Sequence, residues 1–433
     1  MLSSQIVARY AFLAVSCVLL AEGVAMNLGY IRGFGLGAGG DLDQDYCAAK
    51  ALLKGQSIYS DLNGLCNTAV ERNRTDVENF HPPITVLFLL PFVLADVSIQ
   101  HTFIAWGILM MLIYTTIVFL SLREFEIAPH LRLVLLGFAL LWFPQISQSM
   151  NGQFSTVVLG FVFLGWRMQR IHKDALSGVA LGVAIAVKLF PGLLAIYLLL
   201  TRRFRAFAAL TATFLLLQGL MLAVVGRADF VHYYASVLPE DSKRFMPYAM
   251  NQSFTGTAIS LLRPNPYFEN LLDWPQLGPM LALVMALALV GHATWSAYRR
   301  DGVDAAHHYW HFVALSVILC PISWDHTVIV MVPLCALLLA RFGAANQLTL
   351  LFVVAGAMLL ANHNDLESIR TLQSQNPIIH LADLWQAKAQ LLGTLVIVGL
   401  SGVLLSVRTL AIPKVSKVQL GSLPDWNAVA ERR

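Results

Sequence analysis

The stretch Leu176-Ser-Gly-Val-Ala-Leu-Gly-Val-Ala-Ile-Ala-Val-Lys188-Leu-Phe-Pro191-Gly-Leu-Leu-Ala-Ile-Tyr-Leu-Leu-Leu200 is apolar almost throughout and carries one charge, at its middle. Basic clusters flank it on both sides: Arg167, Arg170 and Lys173 before it, Arg202, Arg203 and Arg205 after it. Lys and Arg concentrate in the short cytoplasmic loops of membrane proteins, so both ends of this stretch are expected on the same side. A segment that starts and finishes on one side does not cross. It reads as a hairpin of two half-length helices with Lys188 near the apex, deep in the membrane. Irregular backbone at that depth is tolerated only where protein encloses it or water reaches it, so other helices must surround the hairpin.

Composition agrees. Of 433 residues 57% are hydrophobic and 12% charged, and the mean hydropathy is +0.66, beyond the range of an ordinary soluble domain. A helix needs about 20 apolar residues to cross the hydrocarbon, and such runs fill most of the chain. The fold class expected is all-α: a polytopic membrane protein with about 11–13 transmembrane helices, residues 1–433 forming one integral membrane domain. The net charge of +4 is scattered in short clusters between apolar runs, which speaks against a nucleic-acid partner.

The same rule orders the crossings. Tyr10–Leu28 goes out as an uncleaved first span, since no small-residue cleavage site follows it. Residues 29–100 form the first extracytoplasmic loop, and within it Pro82–Leu94 is too short to span and carries three prolines, so it reads as a re-entrant or interfacial helix. His101–Leu122 returns. Leu133–Pro144 leads out to a polar turn, Gln145–Gln153, and Phe154–Trp166 comes back. Phe207–Val225 goes out to a second large extracytoplasmic loop, 227–276, and the remaining spans bring a tail, 409–433, back inside. Both termini are expected in the cytoplasm, the protein in a bacterial cytoplasmic membrane, and every long polar segment on the outer face. Cys47 and Cys66 share the first outer loop; a disulfide between them requires an oxidising compartment, and the sequence leaves the pairing open.

Sorted by expected side, the unusual polar residues collect outside: Asp41, Asp43 and Asp45 after the first span, then His81, Asn151, Gln153, Asn251, Gln252, Trp324, Asp325 and His326, with Lys188 below them. Ionisable groups at membrane depth are expensive and mark function by default. A carboxylate, an imidazole and an ammonium around one cavity suit a reaction in which a hydroxyl loses a proton to a base while a phosphate departs. Asn and Gln side chains, each with an acceptor and donors, are natural partners of sugar hydroxyls. The Asp-x-Asp-x-Asp run lacks a His or Glu that would complete a metal site, so neither metal nor other cofactor is expected.

The chain resembles the membrane-embedded GT-C glycosyltransferases, and among them glycosyltransferase family 87, the polyprenol-phosphate-mannose-dependent mannosyltransferases and their relatives. The resemblance is carried by Asp41 with Ala48-Ala49, Leu52-Leu53, Gly55 and Tyr59; by His81-Pro82-Pro83-Ile84; and by Asn151-Gly152-Gln153. It continues through Gly178 to Lys188-Leu-Phe-Pro191, Tyr197 and Arg202-Arg203, then Asn251-Gln-Ser253, and ends at Pro321-Ile-Ser-Trp-Asp-His326. These motifs stand in family order. The resemblance implies an inverting sugar transfer at the outer membrane face, from a polyprenyl-phosphate-linked donor to a lipid or glycan hydroxyl, with no nucleotide sugar. It implies Asp41 as the base and Lys188 and His326 at the donor phosphate, with membrane lipids as surroundings. Where many relatives carry a second His after His326, this chain has Thr327.

A transporter or flippase of lipid-linked sugar would also need intramembrane charge, but such proteins show matching broken helices in two halves, and only one broken hairpin is evident here.

Overall fold

The computed structural model describes residues 4–33, 40–66, 78–248, 251–265, 270–299, 305–344, 348–360 and 377–406. Expectations that fall on the glycine-rich run before Gly40, on the loop with Asp365 and Glu367, and on the tail 409–433 lie outside these residues. Among the described residues every regular element is helical and no strand occurs. The protein is all-α, polytopic and membrane-spanning.

In chain order, α1 (Ser4–Arg32) is followed by α2 (Gly40–Leu53) and the ten-residue α3 (Thr85–Leu94), which is too short to span, as its prolines imply. Helix α4 (Ile99–Glu124) leads to α5 (Pro129–Leu141), which bends by 51° into α6 (Phe143–Asn151), and α7 (Ser155–Arg170) follows. The expected hairpin consists of α8 (Asp174–Val187) and α9 (Leu193–Leu200), with Lys188 extended at φ −144°, ψ 131° between them. Helix α10 (Phe204–His232) runs on through a wide π-helical turn, Tyr233–Val237, into α11 (Leu238–Phe245). The rest are α12 (Phe254–Leu262), α13 (Leu277–Arg299), α14 (Ala305–Leu319), α15 (Val332–Ala344), α16 (Leu348–Leu360) and α17 (Pro377–Ser406). Six described helical stretches are long and apolar enough to cross a bilayer alone, or seven if the bent α5–α6 pair counts as one span. The other crossings counted from the sequence fall on shorter helices.

One expectation changes. The polar stretch after Pro144 is not a turn but the helix α6, which ends at Asn151. Its polar side chains need no water because Asn27 of α1 meets them: Gln145 Nε2 and Ser149 Oγ, one turn apart, both donate to Asn27 Oδ1, at 3.3 and 2.6 Å. Asn27 in turn donates to the Leu140 carbonyl at 2.8 Å.

Small residues set the closest approaches. Gly178 and Gly182, four apart on α8, face α10; a Cβ at Gly178 would collide with the Ala206 carbonyl, and one at Gly182 would sit 2.8 Å from that of Leu210. This is the small-xxx-small packing of membrane helices, in which contact area replaces the hydrophobic drive that lipid does not supply. Helix α14 is enclosed on all sides from Ala306 to Ile318 and forms the centre of the bundle. By contrast α10 and α13 carry Leu216, Val284 and Leu287 more than 60% exposed, a surface fit for lipid tails and costly in water.

The helical path Phe204–Phe245 contains 42 residues, about 63 Å at 1.5 Å per residue, twice the roughly 30 Å of hydrocarbon. Gly226, at φ +83°, breaks it. The part up to Val225 is by itself long enough to cross, and α11 lies beyond the break and reaches the cavity described next.

Candidate active site

The cavity has a volume of about 520 Å³. Its polar lining includes His81, Gln153, Lys188, Asp241, Ser242 and Trp324, and its apolar side is made by Leu189, Phe190, Leu193 and Leu319. Three elements start or stop here for local reasons. Helix α6 ends because Gly152 adopts φ +67°, a left-handed cap that L side chains enter at a cost. A Cβ there would also lie 2.9 Å from Leu42 and 3.0 Å from Phe103, so glycine alone lets the α6 terminus press against α2. The Trp106 indole donates to the Gly152 carbonyl at 3.0 Å and fixes the turn. Helix α8 ends where Pro191 follows, and α7 begins just after Gln153, running from the cavity to the basic pair Arg167 and Arg170 at its far end.

Gln153 joins the opposite charges. Its Nε2 donates to Asp41 Oδ2. Its Oε1 accepts from Lys188 Nζ at 2.8 Å, and the same ammonium donates to Ser155 Oγ at 3.2 Å and lies 3.5 Å from His326 Nε2. Asp41 also accepts from Gln44 Nε2 at 3.2 Å and is half-buried at the head of α2. Asp325 sits behind His326: its Oδ1 accepts from the His326 backbone N at 2.7 Å and lies 3.3 Å from ring Nδ1. The structure thus brings Asp41, Gln153, Lys188, Asp325 and His326 into one chain of contacts.

The other acidic residues of α2 do different things. Asp45, four residues after Asp41 and so on the same helix face, pairs with His81 Nδ1 at 2.6 Å and accepts from Thr85 Oγ1. Burial alone would pull the His81 pKa down, but the charged, hydrogen-bonded Asp45 outweighs it and raises the pKa above its ordinary 6.5. Asp43 is wholly buried and does not line the cavity.

Of the residues expected at the substrate, His81, Gln153, Lys188 and Trp324 line the cavity; Asp41, Asp325 and His326 stand behind Gln153 and Lys188 in the chain of contacts, and Asp43, Asp45, Asn151, Asn251 and Gln252 are also absent from the lining. Asn151 donates to the Ser147 carbonyl within its own helix, at 3.0 Å. Asn251 clamps the loop before His326: it donates to the Pro321 carbonyl at 2.8 Å and accepts from Ser323 N at 2.9 Å. Gln252 N donates to Ser323 O at 2.6 Å, and its Oε1 accepts from Leu391 N at 3.1 Å. Trp324 lines the cavity.

Five contributors were not among the candidate site residues read from the sequence. Ser155 holds Lys188, and its place two residues after Gln153 was the only local signal. Thr85 supports Asp45. Asp229 accepts from Ser57 Oγ at 2.6 Å and Ile58 N at 2.8 Å, tying the segment after α2 to α10. Tyr59, in the same segment, stacks on Tyr233 with centroids 5.7 Å apart and donates to the His81 carbonyl at 3.0 Å. Asp241 is the fifth; burial pushes its carboxyl up to about 6, against the pulls of His81 and Arg244.

Cys47 and Cys66 form a disulfide across 19 residues, with Cα atoms 5.8 Å apart. Among the described residues no group of three or more His, Cys, Asp or Glu side chains is arranged to hold a metal ion.

Comparison with known proteins places the chain in the class of membrane-embedded glycosyltransferases. Residues 79–323, more than half of its length, match the pattern that defines Glycosyltransferase family 87, and the chain belongs to that family. It is 34% identical over 161 residues to a polyprenol-phosphate-mannose-dependent alpha-(1-2)-phosphatidylinositol pentamannoside mannosyltransferase of Mycobacterium tuberculosis, covering 37% of this chain and 35% of the relative. It is 25% identical over 317 residues to a polyprenol-phosphate-mannose-dependent alpha-(1-2)-phosphatidylinositol mannoside mannosyltransferase of Mycolicibacterium smegmatis, covering 68% of each. The match thus spans about a third of the first relative's length and about two thirds of the second's. No solved structure matches the chain.

Proposed function

We propose that the cavity transfers a hexose, mannose by analogy with the relatives' names, from a polyprenyl-phosphate-sugar donor to a hydroxyl of a lipid or glycan at the outer face of a bacterial cytoplasmic membrane, with inversion at the anomeric carbon. One observation carries the reading: a single amide, that of Gln153, holds the Asp41 carboxylate at one end and the Lys188 ammonium at the other. Two hydrogen bonds and an amide separate them by no more than about 8 Å, the span of one anomeric centre with its nucleophile and leaving group.

The step balances as follows. The acceptor O–H gives its proton to Asp41 while its oxygen forms a bond to the anomeric carbon from the face opposite the phosphate. The bond from that carbon to the phosphate oxygen breaks, and polyprenyl phosphate leaves with the electron pair. Lys188, with the His326 ring beside it, meets the charge that develops on the departing phosphate. Gln153 keeps acid and cation apart, so that they do not quench each other. Leu189, Phe190, Leu193 and Leu319 give the polyprenyl chain an apolar wall.

The outer-face assignment is supported by the basic residues at the far end of α7 and by the Cys47–Cys66 disulfide next to Asp41, because disulfides persist in oxidising compartments.

The test is Asp41→Asn in purified protein, with a short-chain polyprenyl phosphate mannose as donor and octyl mannoside as acceptor. Loss of a general base costs about 10²–10⁴ in kcat. Wild-type rates in the variant would remove Asp41 from the role.

A further inference from the structure

The donor half of this reaction leaves one wall of the cavity without a task. Asp241, on α11, lines the cavity beside Ser242 and Trp324, and among the described residues no hydrogen bond or ion pair occupies its carboxylate. Its neighbour one turn on, Arg244, attracts it but forms no ion pair with it among the described residues. That guanidinium lies over the rings of Phe80 and Phe245, 5.7 and 5.1 Å from their centroids, and faces Glu78 at 3.6 Å.

Trp324 is held by packing. Its ring meets Phe245 and Tyr248 edge-on, with centroids 5.5 and 5.8 Å apart. Phe245 belongs to the same helix as Asp241, so the aromatic wall and the carboxylate are fixed relative to each other.

Charge divides the cavity. The carboxylates acting most strongly on Lys188 are Asp41, Asp45 and Asp325, whereas the charges acting most strongly on Asp241 are His81, Arg244 and Asp41. Asp41 acts on both groups. An ionised carboxylate only accepts hydrogen bonds and repels phosphate, so the Asp241 wall suits a neutral group rich in O–H donors. A rigid aromatic ring beside it suits the C–H face of a sugar ring.

We propose that Asp241 and Trp324 form the acceptor subsite: Asp241 accepts hydrogen bonds from neighbouring hydroxyls of a sugar ring that rests on Trp324, and the acceptor is a glycoside, not a bare lipid alcohol. The proposal rests on the transferase reading above and adds the specificity-determining residue for its second substrate. With the acceptor ring held there, its reacting hydroxyl points toward Asp41, and the phosphate of the donor is kept on the Lys188 side.

The experiment uses the full-length protein in detergent, a short-chain polyprenyl phosphate mannose as donor, and as acceptors octanol, octyl glycosides of mannose, glucose and galactose, and monodeoxy forms of whichever glycoside reacts. Asp241→Asn is expected to raise KM for the glycoside about tenfold or more while donor KM stays within about twofold, since a hydrogen bond to a charged group is worth about 1.5–3 kcal/mol. One monodeoxy acceptor should lose as much with wild type and little further with Asp241→Asn. A merely structural role would move both KM values together and spare no deoxy analogue, and that result would overturn the assignment. So would transfer to octanol in preference to every glycoside, or an unchanged acceptor KM in both Asp241→Asn and Asp241→Ala. Absence of transfer by wild type to any acceptor would instead count against the transferase reading itself.

Discussion

The side-chain oxygen of Gln153 lies 2.8 Å from the Lys188 ammonium, and the amide nitrogen on the same group donates to Asp41. An amide in this position has a direction, acceptor toward the cation and donor toward the anion, which neither Glu nor Leu can reproduce. Gln153→Leu leaves Lys188 with Ser155 and His326 and frees Asp41 to turn. Loss of partners by buried charged groups costs about 1–3 kcal/mol or more. The variant should show a lower melting temperature in detergent and at least tenfold slower sugar transfer. An unaltered transfer rate would contradict the bridging role.

His81 and Asp45 make stability depend on pH. The imidazole binds its proton more tightly in the folded protein than in the unfolded chain, because Asp45 raises its pKa above 6.5. The stabilisation is therefore complete below the unfolded value of about 6.5 and disappears as pH rises through the higher folded value. The melting temperature of wild type should fall as the buffer moves from pH 6 to pH 9, taken as roughly the window in which histidine loses its proton. His81→Asn should flatten that slope; a slope that persists would assign the effect to other groups.

Helix α8 tolerates nothing larger than glycine where it meets α10. Gly178→Val places a side chain against the Ala206 carbonyl, and overpacking of this kind costs about 1–3 kcal/mol. Because α8 ends at Lys188, the displacement reaches the cavity. Both melting temperature and transfer rate should drop, whereas Gly291→Val on α13, where a Cβ meets nothing within 4 Å, should leave both near wild type. Equal behaviour of the two variants would refute the packing argument.

Removal of the disulfide should be felt as stability before activity. It closes a loop of 19 residues, for which chain-entropy arguments give about 3 kcal/mol. Cys47→Ala with Cys66→Ala should melt several degrees lower and, where still folded, transfer sugar at a rate near wild type. A rate loss larger than the stability loss explains would place the bridge in the mechanism.

Much of this architecture is legible in the chain. Hydropathy shows the helices, and the basic clusters around Leu176–Leu200 are enough to require the hairpin, which the structure contains with Lys188 at its break. The polar stretch from Gln145 was misread because its helical polar face is satisfied by Asn27, more than a hundred residues away, and no local pattern reports such a partner. Helix periodicity alone does not separate Asp41 from Asp45, since both lie on one face of α2; the family resemblance picks Asp41, and the tertiary neighbours, Gln153 for one and His81 for the other, differ. Asn251 and Gln252 illustrate the converse. Amides among site motifs look like sugar binders, yet their bonds go to the backbone around Ser323. Asp241 stands on a helix of ordinary polar composition, and nothing local distinguishes it from a solvated charge.

The bond between Cys47 and Cys66 also has a meaning for biogenesis. Helix α2 carries Asp41 six positions ahead of Cys47, so the Asp41 end of the helix receives its last covalent restraint only when an oxidant reaches it. In the proposed orientation that moment follows translocation. A chain retained on the reducing side would be inserted in part yet still lack its final clamp, which ties maturation of the site to arrival at the face where it works.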